Sequence, residues 1–549
     1  MTDVIFEYVE KLLSLLMSLI MLISNLFSGV NSTVVTIDAD NLGDAVPAVV
    51  NTLNVWNPYA FDENTQPDSE NEVMSFVDYI ELMTATGGNE ENDPFVNPLD
   101  TSVLDDYDFS RIVSSCKGVL NLGAKPFLIL GNVPLKLSEN PVIGGFGYNV
   151  CPPKDYNEWY KFICVYLTAL TDKFSVDEVR TWRFGVLTEY ENEDWFSVDG
   201  DPDKTYKAYC KLYDYTVKAL TDILGNDVYV GAHSMTVTEG LWDERDFIKH
   251  CAFGKNYATG KTGTRICFLT SSFYDTTIYE QTDGKRPAEC IEFLRAAAEE
   301  YGLYNLDYGF DEGRILGGRD GADDSALSLR SVGDSSQAAY DAKLYREKIE
   351  AGASWFSSWG YTTGGAVNGF ASVAYHQASL FAKTAGKNKL QVSVSTKIGR
   401  KTDKNAFAAK DSKTGIIYIS AYNFKLSRLH FMPCSMKITV NDSSIAGRTV
   451  EIRTYYINND CNFFDEWQTD AAKYISVGTA TSWSPDSFAL DNDIVNPELR
   501  EKYTTELREK YKELSVLIPV TQTVEVGDAL SVTLDMDANT AAFVEIIPQ

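Results

Sequence analysis

Two glutamates each close a short apolar run bounded by turn residues. The run Trp182-Arg183-Phe184-Gly185-Val186-Leu187 delivers Thr188-Glu189-Tyr190 to its end, and Leu306-Asp307-Tyr308-Gly309-Phe310 delivers Asp311-Glu312-Gly313. If these runs are the fourth and seventh strands of one parallel barrel, both ends open at the same mouth and the carboxyls face each other across it. Such a pair suits retaining cleavage of a glycosidic bond. One acid protonates the leaving oxygen while the other carboxylate attacks the sugar carbon. The acid's pKa should be raised by burial and by the neighbouring negative charge until the nucleophile is consumed. A single glutamate at a strand end says little, because acidic residues are common on loops; the pairing carries the chemistry.

Further residues fall where a barrel would present them. Tyr274, at the end of a sixth strand, is placed to hydrogen-bond Glu312 and hold its attacking oxygen. Trp355 and Trp359 end an eighth run, where an aromatic face can stack on a pyranose ring; at least one of them is expected to be barrel core instead. Trp56 and Asn57 end the first run and His233 the fifth, as candidate contacts to sugar hydroxyls. Glu191, Glu193 and Asp194 read as an acidic loop, with Glu191 the second choice for the acid. Asp311 is the second choice for the nucleophile, although strand alternation sends it to the opposite face.

Other chemistries find little support. The four histidines form no HExxH or other ligand spacing, and the nine cysteines include no CxxC pair, so no metal or cofactor is expected and no disulfide framework emerges. The segment Leu316–Asp324 gathers three aspartates but lacks the EF-hand spacing and its terminal Glu, and reads as a loop near the cleft. Gly364-Gly365 lacks the Lys-Ser/Thr partner of a phosphate-binding loop. The net charge of −30 argues against nucleic acid, which is bound by neutralising phosphates with Lys and Arg. The expected partner is carbohydrate, and oligomeric state is not legible.

The positioning elements follow from periodicity. Eight candidate strands, Leu53–Trp56, Tyr79–Met83, Pro126–Leu130, Thr181–Leu187, Val228–Ala232, Ile266–Thr270, Leu306–Phe310 and Ser354–Ser358, alternate with amphipathic stretches such as Tyr156–Lys173 and Thr205–Leu224. Eight βα units predict an α/β fold, a (β/α)8 TIM barrel, with a doubly wound open sheet as the alternative. After Gly386 the texture turns to alternating Val, Ile, Thr and Tyr in Leu390–Thr396, Gly415–Tyr422, Met436–Val440, Thr449–Ile457, Thr523–Val526, Ser531–Leu534 and Ala541–Ile547. These are all-β sandwich signals, interrupted by a charged helical insert, Pro497–Leu514. The expected domains are an apolar segment at 1–32, a catalytic barrel at 33–388 and a β-sandwich at 389–549, which the run at 34–38 could join. The apolar stretch Leu12–Phe27 has the length of a signal core or membrane anchor, but the acidic residues before it are wrong for a standard export signal. Export or surface anchoring is the expectation, with a cytoplasmic location as the alternative.

The strand-end motifs resemble glycoside hydrolase family 39, of the barrel clan that includes β-xylosidases and α-L-iduronidases. The resemblance runs through Gly123–Gly131 with Val133-Pro134, Asn149–Tyr156 with Trp159, and Val179–Phe184 leading to Glu189. It continues in Trp195-Phe196, Phe268–Tyr274, Ser354–Trp359 and Tyr455–Asn458 through Asn462 to Trp467. It implies a retaining glycosidase with Glu189 as acid/base, Glu312 as nucleophile and a supporting tyrosine near Tyr274. The departures touch the same subsite. Where the family usually has Asn before its acid/base, contacting the sugar 2-hydroxyl, this chain has Thr188, which by its place is a candidate substrate contact, and Tyr190 replaces a Pro. A sixth-strand His near Ser272 is missing, and Gly313 stands where Trp is favoured after the nucleophile. A catalytically degenerate carbohydrate-binding protein on the same scaffold is therefore the alternative, and a surface-anchored interaction protein a third reading.

Overall fold

The structure is a computed structural model that describes residues 32–66, 75–274, 286–313, 335–357, 371–396, 403–425, 430–466, 469–470 and 497–549. The apolar segment Leu12–Phe27, the loop Leu316–Asp324, Gly364-Gly365, Trp359 and Trp467 lie outside the described residues. Among the described residues no helix is long and apolar enough to cross a membrane.

The chain divides into two compact units, one made of Pro47–Gly317 with Glu347–Ala371, the other of Met1–Val46, Gly318–Arg346 and Ser372–Gln549. The first strand, β1 (Ser32–Ala45), belongs to the second unit. The first unit is the barrel. Its strands are β2 (Thr52–Val55), β3 (Tyr79–Leu82), β4 (Lys125–Leu130), β5 (Arg183–Thr188), β6 (Tyr229–Met235), β7 (Phe268–Ser272), β8 (Asp307–Glu312) and β9 (Trp355–Phe356), hydrogen-bonded in that order. Every neighbouring pair is parallel. The Phe356 N–H returns to the Val49 carbonyl at 2.7 Å, linking the last strand to the chain that enters the first. All eight predicted runs are strands of this sheet, and the barrel rather than the open sheet is the observed architecture.

Helices cover the strands because their apolar residues recur at helical spacing. Tyr156–Phe174 is capped by Asp155, which accepts from the Asn157 N–H, and buries Trp159, Phe162, Tyr166 and Leu170. Pro202–Leu224 is capped by Asp201 and begins with a proline, whose missing N–H costs nothing in the first turn.

Two bulges distort the strand ends that matter most. Between β5 and β6 the pairing jumps from Val186↔Ala232 to Thr188↔His233, leaving Leu187 as an extra residue at φ 57°. Between β7 and β8 it jumps from Ser271↔Phe310 to Ser272↔Glu312, leaving Asp311 extra. Bulges re-aim side chains and cluster beside functional sites.

In the second unit β1 pairs antiparallel with β10 (Asn388–Thr396) and parallel with β13 (Cys434–Asn441), so the early run at 34–38 does join the sandwich. The sheet continues through β11 (Asp403–Lys410), β12 (Ile417–Phe424), β14 (Thr449–Ile457), β15 (Val520–Glu525), β16 (Leu530–Met536) and β17 (Thr540–Pro548). Among the described residues β10 and β11 pair only at Asn388↔Lys410 and Lys389↔Ala409, so the sheet is narrowly joined there, and β15 and β16 are its edges. Alternate residues such as Ile438, Val440, Val532, Leu534, Ile419 and Val544 fill the shared apolar core. The insert Pro497–Leu514 is helical throughout.

Candidate active site

Glu189 and Glu312 both lie at the C-terminal rim, one on the residue after β5 and one on the last residue of β8. They are 7 % and 4 % exposed. Glu189 has φ 43°, a left-handed conformation that L residues adopt at a cost and that recurs at functional sites. The Asn192 amide donates to Glu189 Oε2 at 3.0 Å. The Tyr274 hydroxyl donates to Glu312 Oε2 at 2.7 Å, as expected from its place at the end of β7, while Glu312 Oε1 is buried with no hydrogen-bond partner among the described residues.

Burial raises the pKa of both carboxyls. For Glu189, hydrogen bonds from Asn192 and Ser272 pull it partly back. Glu312 goes well above the ordinary glutamate range, driven first by burial and next by the charge of Glu189, against the pull of Tyr274. A negative charge on Glu189 thus opposes a second charge on Glu312, as expected for neighbouring buried carboxyls.

Beneath them lies a buried polar network. His233, wholly buried, has Nε2 at 2.9 Å from Glu81 Oε1 and Nδ1 at 3.0 Å from the Thr188 hydroxyl. Asn54 donates to the same Glu81 oxygen at 2.8 Å. Asp311, also wholly buried, accepts from the Trp355 indole at 2.6 Å and from the Thr270 hydroxyl, and its carboxylate lies 3.6 Å from His233 Nε2. Burial raises Glu81 and lowers His233, favouring the neutral form of each, and carries Asp311 up to about 6. Donor atoms of Glu81, His233 and Asp311 lie within 4.8 Å of one another, close enough to share a cation. The same side chains already make the hydrogen bonds just given, so the trio reads as a network holding the strand ends in place.

The geometry corrects several expectations. Trp355 is 1 % exposed, packed on Phe127 and Phe268 with the Arg183 guanidinium 4.4 Å from its ring centroid. It is barrel core, with no face left for a sugar. His233 and Thr188 are bonded to each other and buried, so neither reaches a hydroxyl at the mouth. Asp311 does not turn to the outer face, because the bulge breaks the alternation and aims it at Trp355, Thr270 and His233. Glu191 is no solvated loop residue: it is 5 % exposed, accepts from the Thr236 N–H at 3.2 Å, and is raised well above its usual range by burial and by Glu244. Asn57 is exposed and accepts from the Tyr59 N–H, while Trp56 is half-buried among aromatic rings at the mouth. Sequence reasoning missed Glu81, Asn54 and Asn192. Glu81 had a legible signal, a carboxylate inside the apolar run Tyr79–Met83.

A parallel barrel carrying a buried glutamate pair at the ends of its fourth and seventh strands is the arrangement of barrel glycosidases. The comparisons agree in kind. Residues 98–288 match the family model described as glycosyl hydrolases family 39. A beta-xylosidase of Geobacillus stearothermophilus is 29 % identical over 147 residues, 27 % of this chain and 28 % of that protein. A beta-xylosidase of Caldicellulosiruptor saccharolyticus is 27 % identical over 196 residues, 35 % of this chain and 38 % of that protein. The sequence alignments thus span well under half the length of these curated relatives. The crystal structure of a monomeric beta-xylosidase from Caulobacter crescentus superposes with a TM-score of 0.64 at 18 % identity, covering 94 % of this chain and 99 % of that one, a likeness of fold. The chain is a family 39-like, glycosidase-type protein, and the matched stretch contains Glu189 but ends before Glu312.

Proposed function

We propose that this protein is a retaining glycoside hydrolase that cleaves oligo- or polysaccharides by double displacement. Glu189 protonates the leaving oxygen and then activates water as its conjugate base; Glu312 attacks the sugar carbon and carries the glycosyl group between the two steps. The observation that carries this reading is the placement of two buried carboxyls at the ends of the fourth and seventh strands of one barrel, with the Tyr274 hydroxyl donating to Glu312. With one member protonated and the other charged, such a pair supplies an acid and a nucleophile at once. The mechanism needs Glu312 charged and Glu189 protonated; the Tyr274 hydrogen bond pulls Glu312 toward its charged form, against the burial and the Glu189 charge that hold it well above its usual range.

Because the relatives matched are named beta-xylosidases, aryl β-xylosides are the first substrates to try. Glu312→Ala should abolish turnover, with partial recovery on adding azide and formation of the glycosyl azide. Wild-type turnover in that variant removes Glu312 from the mechanism. Proton NMR of the first-formed product should show the anomer of the substrate; the opposite anomer would mean inversion.

One observation favours the second reading, a sugar-binding protein without turnover. Thr188, standing where the family has its sugar-contacting Asn, spends its hydroxyl on His233. Sugar binding without hydrolysis of any glycoside in a broad panel would select it.

A further inference from the structure

The loop after β4 ends in a hairpin that displays apolar side chains to solvent. Val150 N–H bonds the Val142 carbonyl at 2.9 Å, and Ile143 bridges Asn149. Val142 is 56 % exposed, Ile143 52 % and Phe146 39 %. Large apolar side chains gathered at the rim of a polar mouth mark a binding surface. The Phe146 ring stacks on Trp195 at 4.7 Å between centroids with an interplanar angle of 23°, and Trp56 lies edge-on to it at 6.4 Å. Trp195 itself is 2 % exposed, so it is a fixed base on which Phe146 rests.

This aromatic stack is built onto the loop that carries Glu189. The Asn192 N–H returns to the Glu189 carbonyl at 2.8 Å, and the Trp195 N–H to the Asn192 carbonyl at 2.9 Å. The Asn192 side chain holds Glu189 Oε2. The hairpin is locked to that loop in turn: Gly145 N–H donates to Asp194 Oδ1 at 2.8 Å, and Ser197 N–H to the Val150 carbonyl at 2.8 Å. The approach is too close for side chains, since a Cβ on Gly144 would lie 2.4 Å from the Asp194 carbonyl oxygen.

We infer that Phe146, seated on Trp195, is the platform for the sugar unit on the leaving-group side of the scissile bond. This rests on the hydrolase reading, in which Glu189 protonates the leaving oxygen, so that the sugar departing with that oxygen lies on the side of the Glu189 loop. A pyranose presents an apolar C–H face that an aromatic ring covers, and the ring's weak polarity leaves the hydroxyls to water. The platform therefore selects chains over glycosides with small leaving groups.

The test compares xylobiose, whose leaving group is a sugar ring, with β-xylosyl fluoride, whose leaving group has none. In Phe146→Ala the ratio of kcat/KM for xylobiose to that for the fluoride should fall about tenfold, and Phe146→Tyr should restore it. An unchanged ratio overturns the platform. Binding is read separately by tryptophan fluorescence, since Trp56 and Trp195 touch the ring: titration with β-xylo- and β-gluco-oligosaccharides should give a saturable change that Phe146→Ala weakens about tenfold. If the wild type binds in this way but hydrolyses nothing, the hydrolase reading fails and the leaving-group assignment falls with it, leaving Phe146 a sugar contact only. If no oligosaccharide perturbs the fluorescence, the platform falls.

Discussion

Tyr274 donates its phenolic hydrogen to Oε2 of Glu312, and the N–H of the preceding Phe273 bonds the Glu312 carbonyl at 3.0 Å. The end of β7 therefore holds both the backbone and the carboxyl of the residue proposed to attack. Losing a hydrogen bond to a charged group costs about 1.5–3 kcal/mol, so Tyr274→Phe should lower kcat by about 10–100-fold. The bond also lowers the Glu312 pKa. Without it Glu312 gains its charge at higher pH, and the acidic limb of the kcat/KM profile should move upward. A loss of rate with an unmoved acidic limb would make Tyr274 a packing residue only.

Glu189 must be protonated to act as the acid, and burial raises its pKa. Activity should therefore fall as pH rises through that raised value. Glutamine does not titrate, so Glu189→Gln should remove the basic limb of the profile. It should also slow poor leaving groups such as an alkyl or sugar alcohol by about 10²–10⁴-fold, and activated aryl glycosides far less in the glycosylation step. Rates for a leaving-group series would check this; equal losses across the series would reassign the acid.

Much of this site was legible because it depends on residue type at strand ends. A carboxylate after Phe-Gly-Val-Leu and another after Tyr-Gly-Phe mark two strand ends whatever the exact register. The bulges were not legible. Period-two alternation cannot reveal an inserted residue, so it sends Asp311 to the wrong face and carries no sign of the left-handed backbone at Leu187. Burial of His233 and Trp355 was likewise hidden, because each ends an apolar run and both core and mouth accept an aromatic there. The strand β11 escaped because its apolar residues are mostly alanines set between lysines, a composition with little β preference. β1 was legible as a strand from its Val and Ile alternation, and its partner became definite only through the register with β10 and β13.

Glu191 offers a test of stability separate from catalysis. Its carboxyl is raised well above 4.5, first by burial and next by Glu244. The folded state therefore binds a proton that the unfolded chain has already released, over the range above 4.5. Stability from this group is present below the unfolded pKa and is lost as pH rises toward the folded one. Glu191→Gln keeps an oxygen for the Thr236 N–H and removes the titration. Its Tm should match or trail the wild type near pH 4.5 and exceed it by about 2 °C or more at pH 8. Scanning calorimetry at the two pH values checks this, and parallel Tm curves would show that Glu191 does not set the pH dependence.

Gly313 follows Glu312 where the family favours Trp, and the structure gives the reason a side chain is excluded. A Cβ there would lie 2.4 Å from the Phe273 carbonyl oxygen and 3.3 Å from the Phe356 ring. The carbonyl is backbone and cannot swing aside, so a side chain at 313 must push the end of β7 away from β8. That displacement acts on the Tyr274–Glu312 bond. Gly313→Ala should therefore reduce kcat at least as much as Tyr274→Phe, and Gly313→Trp more severely. Because both changes act through one contact, the double variant Tyr274→Phe/Gly313→Ala should be little worse than Gly313→Ala alone. Kinetics of the four proteins in this cycle decide the matter. Additive losses would mean that Gly313 affects turnover by a route other than the tyrosine that holds the nucleophile.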